Sequence, residues 1–224
     1  ENTIEALEAA WKYVVLTCLG AAFALLGILI LYWGMDLSGK EPFTWTGLSR
    51  ASAGIPPDLL KAAFLLILVG FGTKAGLVPL HTWLPDAHSQ APSPVCALLS
   101  GVETTAVLYV ILRLLPVLQS APSIQGERWF LVAGLLSTGI AAFLLIQAKD
   151  YKRLFAFSTV EHMGIITFAF GMGGPLANFA GLLHMTFHSL TKSAIFFSVG
   201  HIAQVKGTQR MADIRGLTVS HPVL

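Results

Sequence analysis

Charge is scarce in this sequence. Asp, Glu, Lys and Arg make up 12 % of its 224 residues, against roughly 25 % in ordinary soluble domains. Hydrophobic residues reach 54 %, and the mean hydropathy is +0.70. A soluble chain this poor in charge would expose large apolar patches. Cysteine is nearly absent too. Cys18 and Cys96 fall in apolar segments, which excludes a disulfide framework and a zinc site. No long basic run accompanies the net charge of +2, which argues against nucleic acid as a partner. The start (Glu1, Glu5, Glu8) lacks the basic residues of a signal peptide. The glycines are scattered along apolar stretches and form neither a phosphate loop nor a dinucleotide turn.

What is present is long and apolar. Residues 13–35 and 129–148 contain no Asp, Glu, Lys or Arg. Each run is long enough to cross ~30 Å of hydrocarbon at ~1.5 Å per residue. The pattern predicts an all-α, polytopic transmembrane bundle of about six helices, at 6–33, 59–79, 94–115, 129–148, 152–171 and 176–203. Residues 34–58, with Gly39, Pro42, Gly47, Pro56 and Pro57, read as a loop. Ser93-Pro94 reads as a helix start. Gly171 to Pro175 reads as a tight turn. With alternating helices, the Lys149, Lys152 and Arg153 loop shares a side with Lys206, Arg210 and Arg215, and the positive-inside rule makes that side cytoplasmic.

The second crossing is irregular. Gly70 and Gly72 precede Lys74, and Pro79 follows. Proline removes a backbone donor and clashes with the preceding turn. The spacing predicts a discontinuous helix near Lys74–Pro79 lining a polar cavity. Residues 81–94 are too polar for lipid, and His81 and His88 read as interfacial. His201 reads as solvated, and the five tryptophans read mostly as interfacial anchors.

Ionisable groups inside crossings carry the functional signal, since each costs ~2.5–3.5 kcal/mol at mid-bilayer on insertion scales. Here they are Glu8, Lys12, Lys74, Glu103, Glu161, His162, His184, His188 and Lys192. His184, His188 and Lys192 are spaced by four, forming one stripe on a helix face. Such a stripe suits a proton relay, because histidine titrates near ~6.5 and needs little tuning. Blander readings stand beside it. Glu8–Lys12 reads as an interfacial ion pair or as a switchable counter-ion. Lys74 reads as a snorkelling lysine or a relay group. Glu103 reads as a packing contact or a relay member. The histidines read as helix–helix hydrogen bonds or as haem ligands.

Four stretches resemble a known family. They are Lys74-Ala-Gly-Leu-Val-Pro79-Leu-His81-Thr-Trp83-Leu-Pro85-Asp86-Ala-His88, followed by Ala91-Pro-Ser-Pro94-Val; Glu8-Ala-Ala-Trp-Lys12-Tyr13; Lys152-Arg-Leu-Phe-Ala-Phe-Ser158-Thr-Val-Glu161-His162-Met-Gly164; and His184-Met-Thr-Phe-His188-Ser-Leu-Thr-Lys192-Ser-Ala. Together they resemble the antiporter-like membrane subunits of respiratory complex I, multisubunit cation/proton antiporters and membrane-bound hydrogenases. Glu161-His162-Met-Gly164 and Leu190-Thr-Lys192-Ser look most like the hydrogenase-4 component F type.

The resemblance implies part of an inverted-repeat fold, with residues 1–224 as a single transmembrane domain. It implies movement of protons, or sometimes sodium ions. Glu8 matches the family's essential carboxylate, Lys74 its partner on the broken helix, and His184, His188 and Lys192 the central relay. Lys12, Glu103, Glu161 and His162 are secondary candidates. No cofactor or metal is implied in the subunit itself, and no redox chemistry of its own. The implied partners are other membrane subunits and a peripheral electron-transfer arm, either a nickel–iron hydrogenase or an NADH- or formate-oxidising module. The implied location is a prokaryotic cytoplasmic membrane. A non-pumping scaffold and a stand-alone antiporter subunit are the alternatives. The sequence departs from the family in offering Glu103 where Lys or His is common. It also ends at His221-Pro222, before the family's second broken helix, and lacks the initial helices, which reads as a fragment or split gene product.

Overall fold

A computed structural model describes residues 3–38, 42–119 and 125–217. Its main helices are α1 (Ile4–Ser38), α2 (Trp45–Ala51), α3 (Pro57–Ala75), α4 (Trp83–Gln90), α5 (Ser93–Leu98), α6 (Thr104–Gln119), α7 (Gly126–Gln147), α8 (Tyr151–Met172) and α9 (Gly174–Lys206). A wide π-helical turn, Leu99–Glu103, joins α5 to α6. The six predicted crossings correspond to α1, α3, the α5–α6 unit, α7, α8 and α9. Gly39, Lys40 and His221-Pro222 lie outside the described residues.

Four stretches are long and apolar enough to cross a membrane: Ile4–Leu37, Ser93–Leu118, Gly126–Gln147 and Tyr151–Met172. Their outer faces carry bare hydrocarbon, as Phe143 and Ile146 show at 64 % and 84 % exposure. Such a surface is stable only against lipid or protein. The other two predicted crossings are more polar. α3 holds Asp58, Lys61 and Lys74 in 19 residues, and α9 holds the histidine–lysine stripe.

Small residues set the helix spacing. Gly20 of α1 lies against the Gly70 carbonyl and Thr73 of α3. Gly134 of α7 lies against Gly164 and Phe168 of α8. A side chain at these positions would force the backbones apart, which is why membrane interfaces favour glycine. The apolar core fills in beside them, with Phe64 and Phe130 stacked at 5.8 Å.

One local reading changes, and a second is placed within its expected stretch. The 34–58 segment contains a short helix, α2, whose start is capped by Thr44 accepting from the Gly47 N–H at 3.1 Å. Burial of Leu48 holds it to the core. The break in the second crossing comes earlier than Pro79. α3 ends at Ala75, and Gly76 takes the left-handed conformation at φ 79°. The Leu77 N–H returns to the Gly72 carbonyl at 2.8 Å, which closes the helix in a Schellman cap. The 171–175 turn forms as read, with both Gly173 and Gly174 at positive φ. The tail returns to the start of α8: the Tyr151 N–H meets the Gln209 carbonyl and the Met211 N–H meets the Lys149 carbonyl. The 149–153 loop and the 206–215 tail therefore share one side of the bundle.

Candidate functional site

The α3 break sets the first cluster. Lys74 sits in the last turn of α3. Its ammonium donates to Glu103 Oε1 at 3.2 Å. Glu103 is the last residue of the π turn, where the widened helix re-aims side chains. Both side chains are about three-quarters buried. The polar backbone freed by the break finds partners. The Val78 N–H donates to Ser137 Oγ at 3.0 Å, and the Trp83 indole donates to the Thr73 carbonyl at 2.8 Å. Tyr13 packs edge-on to Trp83 at 5.2 Å.

The second cluster lines a hollow of about 370 Å³ between α8 and α9. Phe155, Ser158 and His162 of α8 face His184, His188 and Lys192 of α9 across it. His162 Nδ1 and His184 Nε2 are hydrogen-bonded at 2.8 Å. The His188 ring lies 5.4 Å from that of His162. Lys192 is only 3 % exposed. Its ammonium donates to the Phe155 carbonyl at 3.1 Å and sits over the Phe155 ring. Among the described residues no carboxylate lies within ion-pair distance of it, although Glu161 acts on it electrostatically from α8.

Hydroxyls lie between the two clusters. Ser100, in the π turn, bonds Thr159 of α8 at 2.7 Å, and its backbone lies beside His188. Ser189 donates to Thr105 at 3.2 Å. The π turn thus faces Lys74 through Glu103 and the histidine hollow through Ser100. α9 approaches this closely because residue 101 is glycine, whose missing side chain leaves room for Ser189 and Ser193.

A third cluster lies where α1, α4 and α8 meet. Lys12 pairs with Glu8 and with Asp86 at 2.9 Å. Asp86 also pairs with Arg153 at 3.1 Å.

The structure brings His162, His184, His188 and Lys192 together, and Lys74 with Glu103. It does not bring Glu8 to Lys74, the partnership implied by the resemblance. α1 and α3 run antiparallel with Gly20 beside Thr73. Glu8 therefore lies ~18 Å down α1 from the level of Lys74, at ~1.5 Å per residue. That is beyond the reach of the two side chains, so Glu8 pairs with Lys12. His81 and His88 are buried rather than interfacial, at 8 % and 0 % exposure, and the His88 ring stacks on Phe196 at 4.7 Å. Trp83 is fully buried rather than an interfacial anchor, because its indole caps the end of α3. His201 is exposed.

Sequence reasoning missed Asp86, Arg153 and Lys152 as network members. Lys152 is 5 % exposed, and its ammonium donates to the Ala91 carbonyl at 3.2 Å. The available signal was polar density in residues 81–94, which showed only that the segment avoids lipid.

The chain matches the family model described as "NADH:quinone oxidoreductase/Mrp antiporter, TM" over residues 1–224. It is 50 % identical over its whole length to a hydrogenase-4 component F homolog of Methylacidiphilum infernorum (isolate V4), covering 48 % of that protein. It is 31 % identical over 97 % of its length to NADH-quinone oxidoreductase subunit N of Desulforudis audaxviator (strain MP104C), covering 43 % of it. Among solved structures, a chain of the membrane-bound sulfane sulfur reductase, an archaeal respiratory membrane complex, superposes with a TM-score of 0.87. Its identity is 27 %, with 99 % of this chain and 45 % of that one covered. A chain of the Mrp complex from Dietzia sp. DQ12-45-1b gives a TM-score of 0.86 at 24 % identity, with 98 % and 40 % covered, and agrees in fold. The chain spans about half the length of the curated relatives it matches. It belongs to the NADH:quinone oxidoreductase/Mrp antiporter family of membrane subunits.

Proposed function

We propose that this family member moves protons across a prokaryotic cytoplasmic membrane, as part of a larger subunit driven by electron transfer in partner subunits. The observation that carries the reading is the line of titratable groups around one hollow: the half-buried, hydrogen-bonded His162–His184 pair, then the buried His188 and Lys192. Membrane interiors exclude such groups unless a function retains them. Imidazoles that meet ring to ring can exchange a proton by swapping donor and acceptor roles.

Lys74 and Glu103 supply the second half of the proposed path. A lysine whose carboxylate partner moves closer holds its proton more firmly, and one whose partner retreats releases it. The pair sits beside a helix break, where a small movement of α4 changes its geometry. Glu161 is a secondary group on the same path. Glu8 and Lys12, with Asp86 and Arg153, form the membrane-edge contact of that path. Each charge moved against 100 mV requires ~2.3 kcal/mol, which a redox partner supplies. A nickel–iron hydrogenase module, or one oxidising NADH or formate, is the proposed arm. Residues 1–224 act as one transmembrane domain within the larger inverted-repeat fold.

The test is Lys74→Ala in the complete protein within its complex, reconstituted in vesicles. Electron transfer continues and the proton-to-electron ratio falls toward zero. An unchanged ratio would overturn the role and favour a non-pumping scaffold.

A further inference from the structure

An apolar groove of about 460 Å³ runs along the outer face between α3 and α7. It starts at Arg128 and Trp129 in the first turn of α7 and ends against Leu77–Leu80, where α3 has broken. Its α7 wall descends through Val132 to Leu136. From Arg128 to Leu136 the rise is ~12 Å at ~1.5 Å per residue. That is close to half of a ~30 Å hydrocarbon core. The groove therefore has close to the length of one lipid leaflet, and its Arg128–Trp129 end carries the residue types that collect at a membrane surface.

The two ends differ in chemistry. Arg128 is exposed, and among the described residues no carboxylate pairs with it. Its neighbour Glu127 is turned away. That carboxylate lies beside Gly173 in the α8–α9 turn, 3.2 Å from where a Cβ would stand. Trp129 adds an aromatic ring at the depth where such rings collect at lipid headgroups. At the far end the polar backbone is already satisfied, since the Val78 N–H is held by Ser137 and the Leu77 N–H by Gly72. A cation at the membrane surface, followed by one leaflet's depth of hydrocarbon, matches a single amphiphile with an anionic head.

We propose that this groove binds one phospholipid, its phosphate on the Arg128 guanidinium and one acyl chain laid down to Leu77–Leu80. Arginine suits the head because its fork matches phosphate oxygens. The acyl chain then covers the break that follows Lys74 and seals it from bulk lipid.

The test uses the complete protein in its complex. The sample is stripped with detergent, titrated with phosphatidylglycerol and read by native mass spectrometry, with a density map of the same sample. The expected result is one retained phosphatidylglycerol per copy, with density in the α3–α7 groove. Arg128→Gln raises the lipid concentration for half-occupancy by about tenfold, the scale of one charged hydrogen bond. Leu136→Trp fills the groove and removes the bound lipid. Equal retention in the parent and in Arg128→Gln overturns the proposal. So does density showing a protein segment in the groove. Arg128 is exposed, so its variant remains informative even where Leu136→Trp fails to assemble.

Discussion

His162 Nδ1 and His184 Nε2 stand 2.8 Å apart and join the middle of α8 to the first half of α9. One ring donates and the other accepts. A neutral imidazole has one of each role, and a doubly protonated pair has no acceptor left. The contact can therefore hold one shared proton but breaks when both rings carry their full complement. His188 and Lys192 follow at the next two turns of α9, so a displaced proton has a neighbour to reach.

Replacing His162 separates titration from bonding. On the proposed proton path, in the complete complex, His162→Phe leaves His184 without its partner, and proton transfer is expected to slow by ~10², the scale of losing one acid–base group. His162→Gln keeps a hydrogen bond but cannot pass a proton, and it is expected to be as slow. The measurement is dye-reported proton uptake in vesicles. Parent-like uptake in the Gln variant would assign the ring a packing role only.

Ser137→Ala tests the α3 break. It strands the Val78 N–H, which has Ser137 Oγ as its partner at 3.0 Å. A buried unsatisfied donor costs ~1–3 kcal/mol. The expected outcome is a lower thermal midpoint in detergent for the assembled protein, and no change would mean the amide finds another partner.

Gly101 and Gly139 provide a matched pair. A Cβ at Gly101 would fall 2.9 Å from the Ser189 carbonyl, with the Ser193 hydroxyl closer still. Gly101→Val is therefore expected to destabilise by ~1–3 kcal/mol through overpacking and to push α9 from the π turn. A Cβ at Gly139 meets nothing within 4 Å. Gly139→Ala should be neutral or gain up to ~1 kcal/mol of helix stability. Thermal melts of the two variants check the contrast.

Asp86→Asn removes the carboxylate shared by Lys12 and Arg153. Lys12 keeps Glu8 on its own helix, so the loss falls on the links from α4 to both α1 and α8. Hydrogen exchange should quicken across residues 83–90 and leave α7 unaltered. The parent should approach the variant's behaviour at high salt, because part-exposed pairs are screened. Identical exchange in both would show that apolar packing alone holds α4.

Much of the fold was legible because the bilayer imposes a simple rule. A charge-free run such as 129–148 has few options other than a spanning helix, and α7 occupies nearly those residues. The α3 break was legible to within a few residues, from Gly70, Gly72, Lys74 and Pro79. It falls inside the expected Lys74–Pro79 stretch, at its near end, because a left-handed Gly76 ends the helix before proline can. The stripe on α9 was legible because helical spacing alone puts His184, His188 and Lys192 on one face.

Partnerships between helices were not legible. Nothing in the spacing of Glu8, Lys74 and Glu103 says which carboxylate meets the lysine. The register of α1 against α3 decides it, and glycine contacts at Gly20 and Gly70 set that register. The burial of His88 and Trp83 was hidden for a similar reason. A polar segment that avoids lipid can lie at the surface or fold back into protein, and the choice depends on whether the bundle offers partners such as Thr73 and Phe196.

The sequence by itself determined a helical membrane subunit, its crossings and the side chains too costly to be there without a role, because hydrocarbon penalises charge and open backbone wherever they occur. Tertiary structure alone decided that Lys74 answers to Glu103, that Asp86 ties three helices, and that the imidazoles of α8 and α9 touch. Those contacts depend on register and on the close approach of glycine faces, distances that a one-dimensional pattern does not contain.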